Sequence, residues 1–336
     1  MVPRRDNQVP DALLLLRSNI HSKNNIFGVS RKAKWARGME FSAESDTFFY
    51  AGCGYQFMEG AEAALSAVRT LDKRGVAWER SLGVTGFFNK LGINLGQIYG
   101  SLHFRAGEQD NPLRDAVKVL RYVGKQVGYL GEEEPCCAAP LYFMGFRTEF
   151  ADKAAETHRI LTARGIKRLI SVVPSCTYTL KELAPSHVKE WDIEVGHFLE
   201  VVHEGMDRGI SFRLPNKVRV TYHDPCILSR FCHMVDEPRE ILTRIDGVQF
   251  AEVRHTSKEW STCCGGGGGF EVVFPDISEI LAARRAKELL ATGASVIVTA
   301  CPGCVLQLRD GVKALKAKDV MVMDMAQLLA KALPED

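Results

Sequence analysis

Five cysteines in the C-terminal half of the chain are spaced for chemistry rather than for packing. Cys226 is followed after 36 residues by the adjacent pair Cys263-Cys264, and after a further 36 by Cys301-Pro302-Gly303-Cys304. Thiolates are soft donors suited to zinc or to iron–sulfur clusters, and five exceed the four ligands of a closed zinc site or an ordinary cubane. A larger or more open cluster is therefore expected. Neighbouring cysteines cannot easily both bind one tetrahedral ion, yet they can reach two irons of a cluster, which favours iron and sulfide over zinc. Five glycines, Gly265 to Gly269, follow the pair directly. Of these, Gly265, Gly266 and Gly267 are expected to bring backbone N–H groups close to an anionic centre.

His223, in His223-Asp224-Pro225-Cys226, stands where it could hydrogen-bond a cluster sulfur or give a proton to a leaving thiolate. The competing reading is a turn fixed by Asp224 and Pro225 in which His223 only packs. A sparser set, Cys53, Cys136-Cys137 and Cys176, occupies the N-terminal half. A single cysteine is ordinarily a small buried hydrophobe. That reading fails for nine of ten placed in a repeat, and is kept for Cys232, which lies outside it. His197 and His203 read as surface or core histidines. Arg284 and Arg285 could offset cluster charge, but the preferred reading is a solvated helix face.

The elements that must position these thiols are written twice. Asp46 to Cys53 and Val218 to Cys226 each read as a strand ending at a cysteine. After each cysteine pair comes a helical stretch that stops near Gly165 or Gly293, with Asp276 and Glu279 expected as a capping box for the second. Arg168 to Val173 and Ser295 to Thr299 read as buried strands that deliver Cys176 and Cys301. Ile193 to Val202 and Val320 to Leu329 close the copies as strand turning into helix. Strands alternating with helices predict an α/β fold of two repeated modules with mostly parallel sheets, related by pseudo-twofold symmetry, with the thiols gathered beyond the carboxyl ends of the strands. The expected boundaries are 1–45 for a linker or docking segment, 46–210 for a first module with an insertion at about 67–115, and 211–336 for a second, complete module.

Composition is consistent with this. Apolar residues make up 46% and charged residues 25% of 336, and the formal charge of +2 favours no nucleic acid. No apolar stretch approaches the roughly 20 residues of a membrane helix. Met1 to Ile20 does not read as a secretion signal, so a cytoplasmic protein is expected, either free or in a membrane-associated complex. Structural disulfides rarely persist there, which again points the ten cysteines to metal or redox chemistry.

With Tyr-His-Asp-Pro before Cys226 and the glycine run after Cys264, the pattern resembles the cysteine-rich CCG domain of the B subunit of heterodisulfide reductase and its relatives. The resemblance implies a noncubane [4Fe-4S] cluster on Cys226, Cys263, Cys264, Cys301 and Cys304, at which a disulfide is reductively cleaved. The first copy departs from the pattern, because Thr179 stands where the fifth cysteine belongs. Its four thiols imply a cubane [4Fe-4S] cluster or a zinc ion. The family's fused ferredoxin-like Cys-x-x-Cys runs do not precede Cys53, so a separate ferredoxin-like iron–sulfur subunit is expected as partner. A flavoprotein subunit and a thiol, disulfide or sulfur-carrier substrate complete the expected set. The alternatives are an electron relay from a flavin dehydrogenase for a 2-hydroxy acid or glycerol phosphate to quinone, and a zinc-bound structural scaffold.

Overall fold

The computed structural model describes residues 9–30, 33–58, 60–62, 70 and 111–334. Most of the insertion expected at about 67–115 lies outside the described residues.

Two all-parallel sheets carry the fold. The first has three strands, β1 (Thr47–Tyr50), β2 (Arg168–Ser171) and β3 (Glu194–His197), in the order β1-β2-β3. The second has β4 (Phe212–Tyr222), β5 (Ile245–Phe250), β6 (Val296–Thr299) and β7 (Met321–Asp324), in the order β5-β4-β6-β7. Thus β4, β6 and β7 repeat the arrangement of β1, β2 and β3, and β5 is an added edge. The repeat pattern in the sequence does not reveal β5. It also starts β4 at Val218, whereas the strand begins at Phe212 and crosses a register shift between Arg213 and Val218. Pro215 lies inside that irregular stretch, where a missing N–H is tolerated.

Parallel strands are covered on both faces and therefore read as continuous apolar runs. All four residues of β6 are buried. Phe49, Leu169 and Val195 of the first sheet share one hydrophobic cluster with Val220, Val298 and Met323 of the second. The helices Arg147–Ala163 and Pro275–Leu290 run back over the sheets, and Gly165 (φ +67°) and Gly293 (φ +70°) turn the chain just beyond them, as expected.

The capping box expected of Asp276 and Glu279 is absent, because this helix starts at Pro275 with Phe274 as its N-cap and no side-chain cap. Proline's fixed φ suits the first helical position, which places Asp276 inside the first turn, where its charge meets the helix dipole instead. Capping boxes do occur where β3 runs into the helix Phe198–Asp207 and β7 into Met325–Lys331, built on His197 with Glu200 and on Asp324 with Gln327. No described helix is long and apolar enough to cross a membrane.

The helices Pro275–Leu290 and Pro302–Ala314 touch through their backbones. A Cβ on Gly311 would lie 2.4 Å from the carbonyl oxygen of Ala282. Gly311→Ala is expected to cost about 1–3 kcal/mol by overpacking, toward the upper end because the obstacle is backbone. Helix propensity returns only ~1 kcal/mol, so the variant should melt below the parent in a thermal denaturation scan.

Candidate metal centre

Because β4 and β6 are neighbours, paired as Tyr222 with Val298, their carboxyl ends put Cys226 and Cys301 side by side. Cys226 opens the helix Cys226–Arg230, and Cys301 caps Pro302–Ala314. The loop before Pro275–Leu290 brings in the pair. Cys264 Sγ lies 3.2 Å from Cys304 Sγ, and a ring nitrogen of His223 lies within 4.8 Å of both. Cys226 feels the charges of Cys264 and Cys301, Cys263 those of Cys264 and Cys226, and Cys304 those of Cys264 and Cys301. All five thiols expected to act together therefore converge. Cys264 and Cys304 are buried, Cys226 and Cys301 half-buried and Cys263 exposed, so one side of the group faces solvent.

Burial pushes the Cys226 thiol up to about 11, with Cys264 and Cys301 adding to the rise. Cys264 alone is held well below the usual thiol range, by hydrogen bonds from Cys263 and Cys304 and then by the imidazole of His223 beside it. Cys263 and Cys304 are pushed up by the hydrogen bonds they share with Cys264 and by burial, and a cation among the sulfurs favours their charged form. Arg285 Nη2 is a buried donor with no hydrogen-bond partner among the described residues, and His223 Nε2 is buried with none but the Cys264 sulfur beside its ring. A soft, sulfide-bearing cluster fits this set: it takes thiolates and accepts N–H donors. Gly265 turns its N–H to Cys263 Sγ at 3.3 Å. It needs to be glycine, since its φ is +89° and a Cβ would lie 2.6 Å from Ser278 O. Gly266 packs against Gln307, and Gly267 gives its N–H to Glu271 at 2.8 Å rather than toward a cysteine.

Arg285 corrects the solvated-face reading. Its side chain is 0% exposed; Nε donates to His223 Nδ1 at 3.0 Å, and Nη1 to Thr256 O at 2.8 Å and to Glu288 at 2.9 Å. These buried acceptors turn it inward, while Arg284, with its side chain 68% exposed, lies on the solvated face as expected. Glu288 also accepts from Thr262, next to Cys263, at 3.1 Å. Asp224 fixes the turn before Cys226: it takes Arg239 Nη1 and Nη2 at 2.7 and 2.9 Å and the Lys258 N–H at 2.9 Å. Sequence reasoning missed Arg239 and its second partner Glu252, 2.5 Å from Arg239 Nε, since neither stands near a cysteine in the chain.

The N-terminal thiols gather as well. Cys137 Sγ lies 3.2 Å from Cys176 Sγ, and burial, reinforced by Cys136, pushes Cys53 up to about 12. Cys136, Cys137 and Cys176 are buried and Cys53 half-buried, so this set is closed where the other is open. Ala138 donates its N–H to Cys136 Sγ at 3.4 Å, repeating Gly265, and does so at φ +62°. The Glu134 carboxylate accepts the N–H groups of Ala51 and Gly52 at 2.7 and 3.0 Å and so pins the chain before Cys53. Thr179 Oγ1, three residues after Cys176, is buried without a partner among the described residues.

His197 caps a helix through Nδ1, and its burial holds it down to about 3. His203 pairs with Glu240 at 2.5 Å at the surface. Neither joins a thiol set, as expected. Cys232 packs against the core with its sulfur 4.0 Å from Pro174 O.

The segments that carry the two sets pack against each other. A Cβ on Gly54 would lie 2.5 Å from Pro302 Cγ, and the Tyr55 hydroxyl donates to Asp324. Burial raises the Asp324 carboxyl to about 7. The unfolded carboxyl ionises near 3.9, so the folded state loses stability as pH rises from about 4 to about 7 and no further above that. Asp324→Asn removes this loss. Relative to the parent, the variant is expected to gain about 2–3 kcal/mol between pH 5 and pH 8, measured by urea denaturation at both.

The cysteine-rich domain pattern, CCG, matches residues 101–181 and 220–309, about half of the chain. The chain belongs to this family. The second match spans all five C-terminal thiols and the first includes Cys136, Cys137 and Cys176. Among similar proteins is the D subunit of a dihydromethanophenazine:CoB–CoM heterodisulfide reductase of Methanosarcina barkeri, 35% identical over 64% of this chain and 54% of that protein. Another is the B subunit of a fumarate reductase (CoM/CoB) of Methanothermobacter marburgensis, 31% identical over 75% of this chain and 50% of that one. A third is an EtfAB:quinone oxidoreductase of Syntrophomonas wolfei, 32% identical over 65% of this chain and 31% of that one. The chain spans about half the length of the first two and less of the third.

Proposed function

We propose that the chain is an iron–sulfur electron-transfer subunit of an oxidoreductase complex that acts on a thiol or disulfide. The observation that carries this reading is the convergence of Cys226, Cys263, Cys264, Cys301 and Cys304 with Cys263 exposed. In this reading those five hold a noncubane [4Fe-4S] cluster, which when bound supplies one-electron chemistry and an iron able to take a sulfur ligand. Gly265 and the buried Arg285 supply donors and charge that offset the thiolates, and the open side at Cys263 is where a substrate sulfur or a sulfur-carrier protein approaches. Cys53, Cys136, Cys137 and Cys176 hold a second, enclosed centre, a [4Fe-4S] cluster, across the Gly54–Pro302 contact. The two modules are 46–210 and 211–336, each built around one thiol set. Partners in this reading are a ferredoxin-like iron–sulfur subunit and a flavoprotein. The name of the Methanosarcina barkeri relative, 35% identical, supports a heterodisulfide-type reaction.

A second reading, an electron relay between a flavin dehydrogenase and quinone, draws on the relative named EtfAB:quinone oxidoreductase. The two separate in one experiment. The anaerobically purified chain, poised at fixed potential, is mixed with a dithiol or its disulfide and followed by electron paramagnetic resonance. The first reading expects a new signal that saturates with thiol and is absent from Cys263→Ser. Unchanged spectra at every thiol concentration favour the relay.

A further inference from the structure

The hydrogen bonds around His223 decide between two roles that its position alone leaves open. A ring nitrogen of His223 and the sulfurs of Cys264 and Cys304 lie within 4.8 Å of one another, which suits either a histidine ligand or a donor to a thiolate. The residue is 1% exposed, and its backbone is locked between β4 and β6: its N–H donates to Val298 O at 2.9 Å, and Thr299 Oγ1 donates to its carbonyl at 3.0 Å. Nδ1 faces Arg285 Nε at 3.0 Å, and Nε2 is buried with no partner among the described residues other than the Cys264 sulfur beside the ring.

A guanidinium offers only N–H donors and keeps its proton in proteins. Opposite it, Nδ1 must accept, so the lone pair is on Nδ1 and the single proton of the neutral ring is on Nε2. A metal-binding Nε2 requires the reverse, with its lone pair on the metal and an Nδ1–H given to an acceptor. Arg285 is not free to swing away, because Thr256 and Glu288 hold its Nη1.

We infer that Arg285 fixes His223 in the Nε2–H form, making the pair a built-in hydrogen-bond donor to the Cys264 and Cys304 side of the second centre and excluding His223 as a ligand. Arg285 is a positioning residue that acts through the imidazole. The inference rests on reading the second thiol set as an iron–sulfur centre, and it adds to that reading a cause for the centre's potential. An N–H donor and a buried positive charge beside thiolate sulfurs favour the more negative, reduced state and raise the potential.

The test uses the whole chain, purified anaerobically with its own centre. Hyperfine spectroscopy of the paramagnetic state is expected to detect an exchangeable proton that disappears in His223→Leu, and no strong nitrogen coupling from a bound imidazole. In redox titrations, His223→Leu and Arg285→Met are each expected to lower the one-electron reduction equilibrium about tenfold, ~59 mV. His223→Gln, whose amide can still donate, should keep most of the parent potential. If Arg285→Met does not fold, the comparison of His223→Leu with His223→Gln decides. A strong nitrogen coupling lost in His223→Leu, or an unmoved potential in that variant with iron and sulfide content intact, overturns the inference alone. A parent chain without iron and sulfide overturns the functional reading beneath it.

Discussion

Cys264→Ser is expected to abolish the second centre, while Cys232→Ser leaves both centres in place. Cys264 is the buried sulfur around which the C-terminal set is arranged, with Cys304 at 3.2 Å, Cys263 as its chain neighbour and His223 beside it. Serine offers a harder oxygen on a shorter bond in place of a buried sulfur donor. Bound iron and acid-labile sulfide should fall to roughly half if each set holds a cluster of four irons, and the signal of the second centre should vanish. Cys232, pushed up to about 12 by its burial, packs under Pro174 and touches neither set. Its replacement should change no spectrum. Metal analysis together with electron paramagnetic resonance checks both variants.

Arg239→Met is expected to give the largest loss of stability. Asp224 is 1% exposed and sits directly before Pro225 and Cys226, with its charge met by the two-pronged contact from Arg239. Removing one partner of a buried pair leaves the other charge without compensation, at a cost of about 3–5 kcal/mol. That is a large share of the roughly 5–15 kcal/mol that holds a typical domain folded. The loss should shrink in the double variant Asp224→Asn/Arg239→Met, because a neutral amide carries a smaller desolvation penalty. Urea denaturation of the metal-free chain measures both. Equal losses in the single and double variants would mean that Arg239 acts through Glu252 and the Tyr222 ring, 5.8 Å away, and not through the Asp224 charge.

The cysteine pattern was legible because parallel strands deliver their next residues to one edge, so thiols at equivalent strand ends must meet. That logic needs only the apolar runs of β1, β2, β4 and β6 and the thiols just beyond them. The partners of those thiols were not legible. Arg285 lies in a helix whose sequence gives it the same standing as Arg284, and only the tertiary fold, through His223 and Glu288, selects which of the two turns inward. Glu134, Arg239 and Tyr55 act on residues distant in the chain, and their types alone announce nothing. The missed capping box has a local cause: Pro275 starts the helix ahead of Asp276, and no spacing rule weighs the two signals against each other. Thr179 reads in the sequence as a missing cysteine, and the structure adds that its hydroxyl is buried and unpartnered among the described residues.

Diffraction from anaerobically grown crystals, collected on both sides of the iron absorption edge, tests the central proposal most directly. The account predicts a multi-iron anomalous peak bounded by the sulfurs of Cys226, Cys263, Cys264, Cys301 and Cys304. A peak that appears only at the zinc edge, or an iron site from which the Cys226 sulfur stands apart, would contradict it.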